Sequence, residues 1–216
     1  AYVQDEASQI CVEALDAREG DTLIDVCSCP GSKSFGSAIK MNNKGRIVAF
    51  DLHENKLSLI KSGAERLGIS IIETRAADGR IEIPELIESA DRVLCDVPCS
   101  GFGVIAKKPE IRYKSISDFT ELDTIQKNIL KSSAKYVKVG GTLVYSTCTL
   151  RKAENEERIS DFLEKNKNFE LTPFKVILGE DLETLGNNPF ALCVLTPFSQ
   201  TTTDKKTKKE KKKPPQ

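Results

Sequence analysis

Apolar positions along this 216-residue chain switch repeatedly between two spacings. Short apolar runs occupy residues 22–26 (TLIDV), 46–51 (RIVAFD), 71–74 (IIET), 92–96 (RVLCD) and 142–146 (TLVYS), and each reads as a strand. Helical spacing fills the gaps. Residues 55–67 place Leu57, Ile60, Ala64 and Leu67 on one face, and residues 119–137 do the same with Leu122, Ile125, Ile129, Ser133 and Val137. Gly140-Gly141 is read as the end of that second helix and the opening of the next strand, a further helix is predicted over 152–165, and residues 191–195 read as a last strand. Strands that alternate with helices predict an α/β fold: a mainly parallel sheet with helices on both faces.

In such a sheet, ligands bind beyond the carboxyl ends of the strands. Asp25, Asp51 and Asp96 each end a predicted strand, and Asp78 follows another. Four acids at one edge, each opening a loop, form a site-like pattern. After Asp25 comes VCSCPGSKS, in which Pro30 and Gly31 make a tight turn into a helix whose N-terminal N–H groups suit an anionic group. The segment matches neither the dinucleotide nor the P-loop glycine pattern. Asp51 stands 26 residues after Asp25, about the spacing from which an acid reaches ribose hydroxyls. The alternative for Asp51 is a cap on the helix beginning near Glu54. A nucleoside-bearing cofactor without a polyphosphate grip is expected, and S-adenosylmethionine is one that fits.

Composition narrows the chemistry. The chain is 39% hydrophobic and 30% charged, enough for one substantial core, so residues 1–200 are read as one domain. The net charge is zero, but seven lysines crowd the stretch from Asp204 onward, leaving 25 basic against 30 acidic residues on positions 1–203. Residues 201–216 are therefore expected to be a Lys-rich disordered tail, either solubilising or in nonspecific contact with phosphate. No stretch has the unbroken apolar length of a membrane helix, and the start lacks signal-peptide character; a cytoplasmic monomer is expected. His53 is the only histidine, which excludes Ser-His and Cys-His hydrolases built on any other position; His53 itself is read as a surface residue at a helix start. Of the seven cysteines, Cys11, Cys27, Cys29, Cys95 and Cys193 are read as small apolar residues of the core. The C-x-C of Cys27 and Cys29 with the distant Cys95 and Cys99 departs from zinc-ribbon spacing, so no metal is expected.

Two thiols remain. Cys99 lies in CDVPCSGFG after one strand, and Cys148 lies in VYSTCTL after another. If those strands are neighbours, both thiols and Asp96 emerge at one edge of the sheet. The segments DVCSCPGSKS, DVPCSGFGVIAKKPEIR and YSTCTLRKAENEE resemble the signature segments of the Sun family of RNA cytosine-5 methyltransferases, and AYVQDEASQ is similar to the entry to that family's catalytic domain. The combination of P-C-S-G with S-T-C-T is specific. The likeness runs from the start to about Glu157 and weakens beyond it. The family's preceding RNA-binding region has no counterpart in these residues.

The resemblance implies a Rossmann-like class I methyltransferase fold, S-adenosylmethionine as donor and RNA, foremost ribosomal RNA, as substrate. It implies that Cys27, Ser28, Cys29, Pro30, Gly31, Ser32 and Lys33 cradle the methionine part, Asp51 the ribose and Asp78 the adenine side, with Asp96 between cofactor and base. Cys148 would be the nucleophile and Cys99 the thiol that helps to release product. Lys107, Lys108 and Arg112, beside the presumed crevice, would contact RNA phosphate. Carbon 5 of cytosine is a poor nucleophile, so a thiolate first adds to carbon 6, and the carbon 5 proton must later leave before the thiol is eliminated. Departures exist: Cys29 and Ser32 stand where the family commonly has alanine and glycine. Transfer RNA as substrate, a DNA methyltransferase with Cys99 as nucleophile, and a noncatalytic RNA-binding assembly factor are the alternatives.

Overall fold

The computed structural model describes residues 2–115, 119–172 and 192–199. In chain order the regular elements are α1 (Glu6–Leu15), β1 (Thr22–Asp25), α2 (Ser32–Lys40), β2 (Arg46–Asp51), α3 (Leu57–Leu67), β3 (Ile72–Ala76), β4 (Ala90–Asp96), α4 (Thr120–Tyr136), β5 (Val137–Ser146), α5 (Glu156–Lys165), β6 (Phe169–Thr172) and β7 (Leu192–Pro197). The strands form a single sheet of order β3-β2-β1-β4-β5-β7-β6. Pairings among β1 to β5 are parallel, whereas β7 runs antiparallel to both β5 and β6. The mainly parallel α/β expectation holds, with an antiparallel pair closing one side.

Side chains alternate across each central strand, and both faces are covered. Ile24, Val93 and Leu143 point to the face covered by α4 and α5, where Ile129, Leu130, Ile159 and Phe162 complete the largest cluster. Leu23, Leu94 and Val144 point to the other face, against Cys11 and Leu15 of α1 and Ala38 of α2. Helix α3 packs through Leu57, Ile60 and Ala64 around Phe35.

Two expectations are corrected. Gly140-Gly141 does not separate helix from strand: α4 passes directly into β5 at Val137, and the glycines lie within β5, opposite a register shift between Ala90 and Arg92. Gly140 has φ +79°, and a Cβ on Gly141 would come 2.8 Å from the Asp91 carbonyl, so the pair makes a bulge that side chains would obstruct. The helix predicted over 152–165 is a short 3-10 turn, Lys152–Glu154, followed by α5. Strand β6, which no sequence reading assigned, has only four residues, of which Phe169 alone is buried. The last predicted strand is present as β7, except that Ala191 lies outside the described residues, as does the tail 201–216. Among the described residues no helix is long and apolar enough to cross a membrane.

Candidate active site

The strand order reverses between β1 and β4, and a cleft of about 750 Å³ opens there at the carboxyl ends of the strands. Its size is that of a small-molecule site. One wall holds Cys27, Cys29, Asp51 and Asp78, and the other holds Pro98, Cys99, Thr147 and Cys148. Lys33 and Asp96 line the floor between the two walls.

The first wall begins with the turn after β1. Cys29-Pro30 is a cis peptide, and Gly31 follows at φ +106° as the N-cap of α2. Only glycine fits here without strain, because an added Cβ would lie 2.6 Å from the Phe35 ring. Ser28 anchors the turn, its N–H and hydroxyl both donating to the Phe50 carbonyl at 2.8 and 2.7 Å. Ser28, Pro30 and Ser32 border a side pocket of about 50 Å³ shared with Asp25, Lys33 and Asp96. Asp51 accepts from the His53 N–H at 2.9 Å while facing the cleft, so it shapes the turn after β2 as well as the wall. Asp78 turns its carboxylate onto Arg80, at 2.6 Å from Nη2, and that hydrogen bond holds its pKa below the usual range.

Of the four strand-end acids, Asp25 is the exception. It is buried behind the wall, where the Ser34 hydroxyl donates to Oδ2 at 2.6 Å. Burial pushes its carboxyl up to about 7, an effect that the Ser34 hydrogen bond partly offsets. Asp96 accepts from Lys33 Nζ at 2.6 Å and from the Ser146 hydroxyl at 2.7 Å. Burial opposes the Lys33 charge, but Asp96 outweighs it and the ammonium is raised above its ordinary value.

The second wall brings the two predicted thiols together. Strands β4 and β5 are parallel neighbours, with Asp96 opposite Ser146, and the loops that leave them place Cys99 Sγ 2.9 Å from Cys148 Sγ. Both are free thiols. The Cys148 N–H donates to Cys99 Sγ at 3.2 Å. The hydrogen bond from Cys99 lowers Cys148 to about 7, helped by Lys108 and Lys33 against the opposing burial and Asp96. The same bond, followed by burial, raises Cys99. The two sulfurs are thus pushed in opposite directions, Cys148 down and Cys99 up.

A family model described as "16S rRNA methyltransferase RsmB/F" matches residues 12–202. The chain belongs to that family. A "Probable ribosomal RNA small subunit methyltransferase B" of Bacillus subtilis is 46% identical over 171 residues, 78% of this chain and 38% of the relative. The protein of the same description from Synechocystis is 37% identical over 175 residues, 80% of this chain and 39% of the relative. The chain therefore spans about two fifths of the length of these RsmB/F relatives. Among solved structures, NSun6 from Pyrococcus horikoshii, crystallised with SFG, superposes with a TM-score of 0.78 at 28% identity, over 92% of this chain and 53% of that one. The sheet and helices are those of a Rossmann-like, S-adenosylmethionine-dependent methyltransferase.

Against this RsmB/F frame, the cleft gathers Cys27, Cys29, Lys33, Asp51, Asp78, Asp96, Cys99 and Cys148, together with Lys107 and Lys108 at its rim. Arg112 lies outside the lining, on an exposed turn spanning Pro109–Tyr113. Lys107 is ion-paired with Asp5 at the start of α1. Cys29 packs against the Phe35 cluster and also lines the cleft, its thiol 3.7 Å from the Lys56 carbonyl. Cys27 lines the cleft and packs against the core, and Cys11 and Cys95 are buried, Cys11 with an edge on the cleft; burial pushes both of these thiols up to about 12. Sequence reasoning missed α1, whose Asp5, Ser8 and Cys11 form part of the lining. Its amphipathic start, ASQICVEAL, was the available signal. It also missed that Leu122 and Ile125, on the apolar stripe of α4, reach the cleft, Ile125 while also packing against the core.

Proposed function

We propose that this domain transfers a methyl group from S-adenosylmethionine to carbon 5 of a cytosine in RNA, foremost small-subunit ribosomal RNA. The observation that carries this reading is the pair of thiols, 2.9 Å apart, on the wall facing an acid-lined nucleoside-sized wall. The first wall has the donors and acceptors the cofactor needs: the Asp51 carboxylate for ribose hydroxyls, Asp78 toward the adenine, and the Cys27 to Lys33 turn for the methionine part. When bound, the cofactor supplies an electrophilic methyl group.

Cys148 enters as thiolate and forms a bond to carbon 6 of the cytosine, leaving carbon 5 electron-rich enough to take the methyl group that the bound cofactor would supply, the cofactor then departing as a neutral thioether. Asp96, fixed by Lys33 and Ser146, faces ring nitrogen 3, where a proton shared between its carboxyl group and the ring neutralises the negative charge that develops on addition. Once Cys148 sulfur is bonded to carbon, it no longer holds a negative charge beside Cys99. The larger of the two effects that raised Cys99, its bond to the Cys148 thiolate, is then gone while burial remains, and with carbon 5 methylated Cys99 gives its proton to water and takes the carbon 5 proton. The electron pair of that C–H bond restores the ring double bond and expels the Cys148 thiolate. A DNA-type scheme, with Cys99 as nucleophile, fits less well because the Cys148 contact and burial raise the Cys99 thiol while Cys148 is lowered.

Single Cys→Ala variants incubated with RNA and cofactor, then denatured, test the roles. Cys99→Ala is expected to accumulate a protein–RNA adduct and Cys148→Ala to form none. The reverse pattern overturns the assignment.

A further inference from the structure

The segment that follows Cys148, RKAENEE, contributes no residue to the cleft, yet two of its polar side chains are almost fully buried: Glu154 at 2% and Asn155 at 4% exposure. Burying a carboxylate is costly unless every oxygen is hydrogen-bonded, and Glu154 meets that condition. Its Oε2 accepts from the Ser100 N–H at 3.0 Å and from Gln126 Nε2 at 2.8 Å, while Oε1 accepts from the Ser100 hydroxyl at 2.6 Å and from Arg151 Nη1 at 3.0 Å. Gln126 also donates to the Pro98 carbonyl at 3.0 Å. Both neighbours of Cys99 are thereby fixed by one carboxylate and its amide partner.

Asn155 does the same for the other thiol. Its Oδ1 accepts from the Thr147 hydroxyl at 2.6 Å, and its Nδ2 donates to the Thr149 carbonyl at 2.9 Å. Those two residues flank Cys148. The loops are joined directly by Ser100 Oγ and Thr149 Oγ1, 2.7 Å apart. Adjacent residues of one segment therefore grip the two thiol loops separately.

We propose that Glu154-Asn155 is a two-headed clamp, a pair of positioning residues that holds Cys99 and Cys148 within hydrogen-bonding distance. The clamp rests on the reading of Cys148 as nucleophile for its purpose, but its geometry can be tested without RNA or cofactor. A merely structural role would lower melting temperature when the network is cut and leave the thiolate unchanged. A clamp sets the thiolate itself, because the Cys99 hydrogen bond is what holds Cys148 low.

The experiment is alkylation of the full chain by iodoacetamide across pH 5.5 to 10, with the Cys148 peptide quantified by mass spectrometry and melting recorded in parallel. The unaltered chain is expected to reach half-maximal rate at about pH 7. Glu154→Ala and Asn155→Ala are expected to move that midpoint up by about one pH unit, toward a free thiol, with roughly fivefold slower labelling at pH 7. In a Cys99→Ala background, the Glu154→Ala change is expected to shift nothing further. Glu154→Gln, which keeps one acceptor oxygen, is expected to lie between. Should Glu154→Ala fail to fold, Glu154→Gln and Gln126→Ala carry the measurement. A midpoint that stays put in the folded variants overturns the clamp, whatever the melting temperatures do. Loss of the RNA adduct in Cys99→Ala with the midpoint shift intact overturns the catalytic reading alone.

Discussion

Asp25 and Cys148 both titrate near neutrality for opposite reasons, and the difference is testable. Cys148 is lowered by a donor, Cys99, whereas Asp25 is raised by burial. Between pH 4 and about 7 the folded chain retains the Asp25 proton while the unfolded chain releases it, so stability falls as pH rises through that window. Asp25→Asn keeps an acceptor for Ser34 and removes the titration. Urea unfolding at pH 5 and pH 8 is expected to show a loss on the order of 2–4 kcal/mol in the parent that is absent from the variant. How much could be read at this scale depended on chain distance. Cys99 and Cys148 were legible because each sits in a short motif at a strand end. The Asp25 position was legible but its role was not, since α2 brings Ser34 over it and hides it behind the wall. The roles of Glu154 and Asn155 had no local signal. Their partners, Ser100 and Gln126 among them, are 54 and 28 positions away from Glu154 and meet it only in the folded state.

The elements depend on close approaches that a spacing pattern does not record. Phe35 of α2 lies between two glycines: an ideal Cβ on Gly31 would stand 2.6 Å from its ring, and one on Gly63 of α3 would stand 2.5 Å away. Gly63→Ala is expected to cost about 1–3 kcal/mol through overpacking alone. Gly31→Ala adds backbone strain at φ +106° and displaces the Cys29 to Lys33 turn, so it is expected to lower the melting temperature further and to weaken S-adenosylmethionine binding as well. Thermal melts with cofactor titration of both variants check this, since equal cofactor affinity in the two would exclude a role for the turn. Periodicity revealed five parallel strands and three helical segments because burial on both faces makes their apolar runs long. It did not give the direction of β7, since period-2 spacing is the same for parallel and antiparallel pairing. The Gly140-Gly141 bulge was misread because a glycine pair marks a helix end and a strand irregularity equally well.

At the scale of the whole molecule, charge is distributed against the simplest picture of an RNA binder. Residues 1–203 carry about −5, so attraction to phosphate has to be local. Lys108 and Arg112 are exposed beside the thiol wall, and Lys107 shares its charge with Asp5. Replacing all three by alanine is expected to weaken binding of single-stranded RNA and to reduce the slope of log affinity against log salt by up to roughly 2; an unchanged slope would place the phosphate contacts elsewhere. The sheet has a further consequence for the molecule as a body. Among the described residues strand β3 is an edge, hydrogen-bonded to β2 alone, and its Glu73 and Arg75 are ion-paired with Arg46 and Glu85. The opposite edge among the described residues, β6, is only four residues long. A strand from a second copy laid against β3 would bring like charges together and dislodge both ion pairs, and against β6 it would find few bonds to make. The parallel sheet that presents the cleft is thereby guarded at both borders against stacking into fibres.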